Sequence, residues 1–380
     1  MKLQLVLAGI GRQPDDHVIE VVVLDFEGVQ ALANLRLLFF GEFVHLWNTP
    51  RSMPGSYPYT RTPKTPSKMK DNDRDITGTI KTTDAGAVAA EVVRLYGALF
   101  PRANAAPLER AFGDAARLYE GANLAYWPCD TEYHDIQHVL DVTLAMVRLM
   151  DGYQRDRRGD PPLSAELFVI GALAALFHDF GYLRRRNDQR HRYGAEYTLT
   201  HVSRGAAYLR DYVRELGYGE RLAQLAGTML HFTGYERRAE AIRIGTGLPR
   251  RMGELLGTAD IIAQMSDRCY LEKCRDRLYP EFVLGARVPT SGARRLPTFA
   301  SGTELVSRTP TFYEGAMNRL DTTLGRAYEY AARHFGGPNH YLSGMRKNIE
   351  HAAKPEALLR RRPAHTLVPG TQPYPPDLFG

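Results

Sequence analysis

Residues 167–177 form an unbroken apolar run of eleven, and the run ends in the adjacent pair His178-Asp179. A stretch this apolar must be buried. Its length falls well short of the roughly 20 residues that a membrane-spanning helix requires, so it is expected to be a core helix of a folded body. The pair at its end is then an imidazole and a carboxylate carried to the edge of an apolar interior, where both can reach one cation. A carboxylate placed there without a partner would be costly.

The surrounding chain supports a helical body. Between residues 87 and 353 the apolar residues recur at helical spacing, as in Val92, Val93, Leu95, Leu99 and Phe100. A helix is expected over 132–150, with Gly152 as its stop. Ser164 is placed to cap the next one, with Glu166 in its first turn. Later helices are expected over 221–232, 253–278, 313–335 and 341–353. Residues 1–47 read differently. They contain short β-branched runs punctuated at residues 11–16 and near Gly28, with a further candidate strand over 35–47, and suggest a small β-containing module. Residues 48–86, with five prolines and many Ser, Thr and Lys, read as a flexible linker, and 356–380 as a disordered tail. The fold expected is therefore an all-α core over 87–355 with a small N-terminal β-containing module. A hydrophobic fraction of 44% is enough for a sizeable core, and three cysteines without metal-ligand spacing argue against a disulfide framework. With no signal-peptide pattern at the amino terminus, a reduced cytoplasmic setting is the simplest expectation.

Three further features bear on chemistry. In the segment TEYHDIQHVLDV, His134 and His138 stand four residues apart, so a continuous helix would project both from one face. In ELLGTADIIAQMSD, Asp260 is a carboxylate flanked by Ala259, Ile261 and Ile262, and Gln264 follows one turn later. Arg184, Arg185, Arg186, Arg190 and Arg192 fall directly after His178-Asp179 and supply much of a formal charge of +6. Such a run can attract an anionic substrate, although a solvated loop is the commoner setting for any single arginine. Sparse aromatic interleaving argues against a groove for single-stranded nucleic acid.

The order of these motifs resembles that of the HD-domain metal-dependent phosphohydrolases: YHDxxH, an aliphatic run ending in HD, then ADxxAQ on a late helix. Within them it is most similar to the class I cyclic-nucleotide phosphodiesterase branch, with its YHNxxHxxDV and HDxxHxGxxN. Tyr133, His134, His138, Asp141 and Val142 match the first motif, with Asp135 in the Asn position. His178, Asp179 and Asn187 match the second, but Tyr182 and Arg184 stand where that branch has His and Gly. The covered region runs from about residue 90 to 285.

The resemblance implies an all-α HD core in which His138, His178, Asp179 and Asp260 bind a first divalent ion and Asp179 bridges to a second. The candidate ions are Mn, Fe, Zn or Mg. It implies that a metal-activated hydroxide attacks a phosphodiester, with a cyclic nucleotide as first candidate, while His134 acts as general acid. Tyr133, Tyr182, Asn187, His201, His231 and Gln264 are candidate substrate contacts, and Glu196 lies in the interval where other HD branches complete a second metal site. The expected partner is a small anionic nucleotide-like molecule, not a membrane or a nucleic acid. Base recognition has no clear carrier, since 281–340 contains no glutamine and Phe312 and Tyr313 are only candidate aromatic walls. Two alternatives remain open at this level: a nucleoside mono- or triphosphate hydrolase, and a nucleotide-sensing module with a slow HD site.

Overall fold

The computed structural model describes residues 73–157, 160–234, 237–288 and 296–353, together with the backbone of 3–10 and 19–26. By internal contacts the chain divides into two units, Met1–Pro63 and Lys64–Gly380. In the first, β1 (Leu3–Ile10) pairs antiparallel with β2 (Ile19–Phe26), Leu3 opposite Phe26. The candidate strand over 35–47, most of the linker and the tail lie outside the described residues.

The second unit is helical, and its described residues contain no strand beyond two isolated bridges. Its helices are α1 (Ala85–Leu99), α2 (Ala106–Tyr119), α3 (Ile136–Arg155), α4 (Ala165–Leu176), α5 (His201–Glu215), α6 (Glu220–Met229) and α7 (Leu248–Ser266). The short α8 (Tyr270–Lys273) runs through a π turn (Cys274–Leu278) into α9 (Tyr279–Ala286). They are followed by α10 (Gly302–Ser307), α11 (Thr309–Thr322), α12 (Glu329–Phe335) and α13 (His340–Ala352). Helix α3 is the spine, packed against α1, α4, α7 and α12. Helix α4 starts where Ser164 Oγ accepts the Leu167 amide at 3.2 Å, and it is buried from Phe168 to Leu176. Residues Ala165–Tyr182 are apolar and long enough to cross a membrane, yet 83% of that stretch is buried in the helical body, as a core helix requires.

Several expected boundaries shift for identifiable reasons. Helix α3 continues past Gly152 to Arg155. That glycine serves a helix crossing, because a Cβ there would lie 1.9 Å from the Tyr330 carbonyl oxygen on α12. The run expected over 253–278 breaks after Ser266, where the Asp267 carboxylate accepts the Cys269 amide at 2.7 Å. The run over 313–335 breaks between α11 and α12, where Gly325 and Arg326 both have positive φ.

The linker also ends earlier than composition suggests. Asp75 is buried and accepts the amides of Thr79 (2.9 Å) and Ile80 (2.8 Å) in a tight turn. Its other oxygen receives Arg148 of α3 at 2.6 Å. Arg148 in turn donates to Tyr341 Oη on α13 at 3.1 Å. Burial opposes ionisation of Asp75, but the Arg148 guanidinium beside it and the donated amides hold its carboxyl below the usual value. A buried pair broken on one side leaves an uncompensated charge and costs about 3–5 kcal/mol. The Asp75→Ala variant should therefore lose about that much stability in urea at unchanged m-value. A loss under about 1 kcal/mol would mean that residues 73–84 do not anchor the body.

Candidate metal centre

The site is assembled where α3 begins and α4 ends, with α7 packed against both. At the end of α4, His178 Nδ1 lies 2.7 Å from the Ala175 carbonyl oxygen and donates to it. This fixes the tautomer and leaves Nε2 directed inward. His138 is on the first turn of α3, its amide bonded at 2.9 Å to Asp135, which caps the helix. The two Nε2 atoms are 3.3 Å apart. Asp179 Oδ2 sits 3.1 Å from His178 Nε2 and 3.3 Å from His138 Nε2. From α7, Asp260 Oδ1 approaches the same nitrogens at 3.9 and 3.7 Å.

The spacings among His138, His178 and Asp179 suit one cation, while Asp260 stands somewhat further off. Ligands about 2.1 Å from a metal are separated by about 3.0 Å at right angles and about 3.4 Å in a tetrahedron. His138, His178 and Asp179 are all buried and each offers an atom within 4.8 Å of the others, so the group can hold a metal ion. The chemistry of Asp179 points the same way. Its Oδ2 is buried and makes no well-aligned hydrogen bond, its close neighbours being the two imidazole nitrogens, a position that a cation would satisfy. Burial opposes the charge on Asp179, yet His178 and His134 hold its carboxyl well below the usual range. Burial likewise pushes the His178 imidazole down, but Asp179 and Asp260 outweigh it and raise it to about 9. A metal would replace that proton, since a ligating imidazole must be neutral.

Around this cluster a second layer sets orientation. Tyr133 Oη donates to Gln264 Oε1 at 3.1 Å, and Gln264 Nε2 donates to Asp260 Oδ1 at 3.3 Å. Gln264 thus steers Asp260. Asp141 lines a small cavity on the far side of His138, with Asp267 and Lys273. Burial raises the Asp141 carboxyl to about 8 despite the nearby Lys273 ammonium.

His134 is not on a helical face with His138. Because Asp135 caps α3, His134 precedes the helix, and the two rings meet edge to face with centroids 5.7 Å apart. The carboxylate that holds it is Glu281 of α9, not Asp135. His134 Nδ1 is 2.5 Å from Glu281 Oε2, while Glu281 Oε1 accepts the Tyr133 amide at 2.7 Å. Asp135 is turned instead toward Arg277, at 3.3 Å. Burial lowers the His134 imidazole, but Glu281 and then Asp179 overcome it and raise it to about 9. Glu281 is 1% exposed. Its signal in the sequence was the one that marked Asp260, a carboxylate inside an otherwise apolar helix, here YPEFVLGA.

Tyr182, in the position where the resembling motif has a histidine, stacks between two imidazoles. Its ring lies 4.5 Å from His134 and 4.3 Å from His201, nearly parallel to both. His201 opens α5, with Nδ1 2.7 Å from the Thr198 carbonyl oxygen and Nε2 3.7 Å from Asp179 Oδ1. Gly181 makes this approach feasible, because a Cβ there would lie 1.8 Å from the His201 carbonyl oxygen. His231 is buried in the turn Leu230–Phe232 after α6. Glu196 accepts the Arg192 amide at 2.7 Å and caps the turn Gly194–Tyr197. Asn187 is exposed on the loop that carries the arginines. Phe312 is 40% exposed on α11, against Phe299.

Comparison with protein-family models, curated proteins and solved structures gave no match.

The raised titration of His134 has a definite sign. Its folded value of about 9 exceeds the ordinary value of about 6.5. The protonated form therefore contributes stability that is complete below about pH 6.5 and is lost as the pH rises through about 9. In the Glu281→Gln variant, ring-proton NMR should find His134 titrating nearer its ordinary value. A proton still leaving near pH 9 would show that Glu281 is not what holds it.

Proposed function

We propose that this chain is a metal-dependent phosphohydrolase of the HD type, acting on a phosphodiester in a small anionic, nucleotide-like substrate, with a cyclic nucleotide as first candidate. The observation that carries the reading is the buried group of His138, His178 and Asp179, in which two imidazole nitrogens converge on one carboxylate oxygen with Asp260 close by. An imidazole held protonated stands in the same site. A divalent ion held by those four residues would polarise a phosphoryl oxygen and acidify a water near neutral pH. The other oxygen of Asp179, 3.7 Å from His201 Nε2, supports a second ion sharing that carboxylate.

The remaining steps belong to the chain's own residues. Glu281 keeps the proton on His134, whose free ring edge can give it to the departing oxygen, and a group that remains an imidazolium at pH 7 suits an acid better than a base. Tyr182 braces the flat face of His134, so the ring has little freedom to rotate. Gln264 keeps Asp260 turned toward the two imidazoles.

The test is hydrolysis by the purified protein with added Mn²⁺, using cyclic mononucleotides, cyclic dinucleotides and nucleoside triphosphates. Turnover of a cyclic diester to a monophosphate, without inorganic phosphate, is the expected result. Release of phosphate or pyrophosphate from triphosphates alone would replace the diester reading. Asp179→Ala should lose both bound metal, measured by elemental analysis, and activity. Full metal content in that variant would sink the ligand assignment. His134→Ala should keep its metal and lose about 10²–10⁴ in rate. Loss of metal there would make His134 a ligand and not an acid.

A further inference from the structure

Three large hydrophobic side chains are exposed among the described residues: Leu124 (94%), Phe312 (40%) and Trp127 (39%). Two of them share one loop. That loop is hydrogen-bonded along its edge to the segment after His178-Asp179. The Trp127 amide donates to the Arg184 carbonyl oxygen and the Arg186 amide to the Ala125 carbonyl oxygen, both at 2.9 Å, with Tyr126 bridged to Arg185. The pairing brings Leu124 and Trp127 to the arginine run from some sixty residues away in sequence.

The charge here is uncompensated. Arg184 is paired with Asp130 at 3.0 Å. Arg185, Arg186, Arg190 and Arg192 are all exposed, and among the described residues none of their guanidinium groups forms an ion pair with a carboxylate. Asp188, the acidic residue within the run, is occupied by His191 at 3.0 Å and by the Arg190 amide at 2.7 Å. The Arg186 guanidinium lies 4.4 Å over the Trp127 ring and covers one of the faces on which a nucleic-acid base would stack. Leu124 has no such face. An exposed aliphatic tip, an indole beside it and a rim of exposed guanidinium groups without carboxylate partners complement an anionic bilayer surface.

We propose that the Leu124–Trp127 loop and the arginine loop together form a peripheral docking surface for anionic phospholipid bilayers, with Leu124 and Trp127 entering the headgroup boundary. No membrane-spanning segment is needed for such contact.

The test is flotation of the full-length protein with vesicles of phosphatidylcholine alone, or of phosphatidylcholine and phosphatidylglycerol in equal parts. Binding should require the anionic lipid and weaken with salt. Each arginine near such a surface contributes roughly fivefold, so the double variant Arg185→Ala, Arg186→Ala should bind roughly twenty-five-fold less. Leu124→Asp should bind about tenfold less or weaker still. Both variants should keep the wild-type melting temperature, since the altered side chains are exposed. Absence of vesicle binding, or binding indifferent to Leu124, would overturn the proposal. Capture of single-stranded polyuridylate that survives Leu124→Asp and competes with vesicles would reassign the patch to nucleic acid.

Discussion

Everything around the site follows from taking the Asp179 carboxylate out of water. A buried carboxylate must be compensated, and a single neighbour does not suffice when both oxygens are enclosed. Two imidazoles face one oxygen and a third approaches the other. Each imidazole is fixed by its own partner: a carbonyl for His178 and His201, and the capped start of α3 for His138. The helices that deliver these groups are the ones most deeply buried. Rigid packing of α3, α4 and α7 is therefore what keeps several charges within bonding distance of one point.

Only some of this was legible in the sequence. His178 and Asp179 stood out because they end an apolar run, Asp260 because it interrupts an apolar helix, and His138 by its spacing from His134, the set being joined by the order of the motifs. The helical body was legible from its periodicity. Glu281 obeys the same rule as Asp260, but no motif marks α9 in the sequence. The placement of His134 failed for another reason. A four-residue spacing implies a shared face only if the helix is continuous, and Asp135 starts the helix between the two histidines.

Other features exist only in three dimensions. Tyr182 seemed a defect in the motif, but its ring fills a slot between two imidazoles that belong to different segments. The arginine run reads as an ordinary loop until Trp127 is hydrogen-bonded beside it. Gly152 resembles a helix stop in the sequence and is a contact point with α12 in the fold. In each case the deciding partner lies far along the chain, where local propensity carries no information about it.

The bond from His134 to Glu281 joins residues separated by 147 positions. Closing such a loop comes late in folding, because chain entropy must be surrendered before the contact returns anything. During synthesis, the histidine and the helix with His178-Asp179 emerge long before α9. A nascent chain can then gather imidazoles around Asp179 while His134 is still without the Glu281 carboxylate. The carboxylate partner of His134 thus becomes available only once the chain has been made through residue 281.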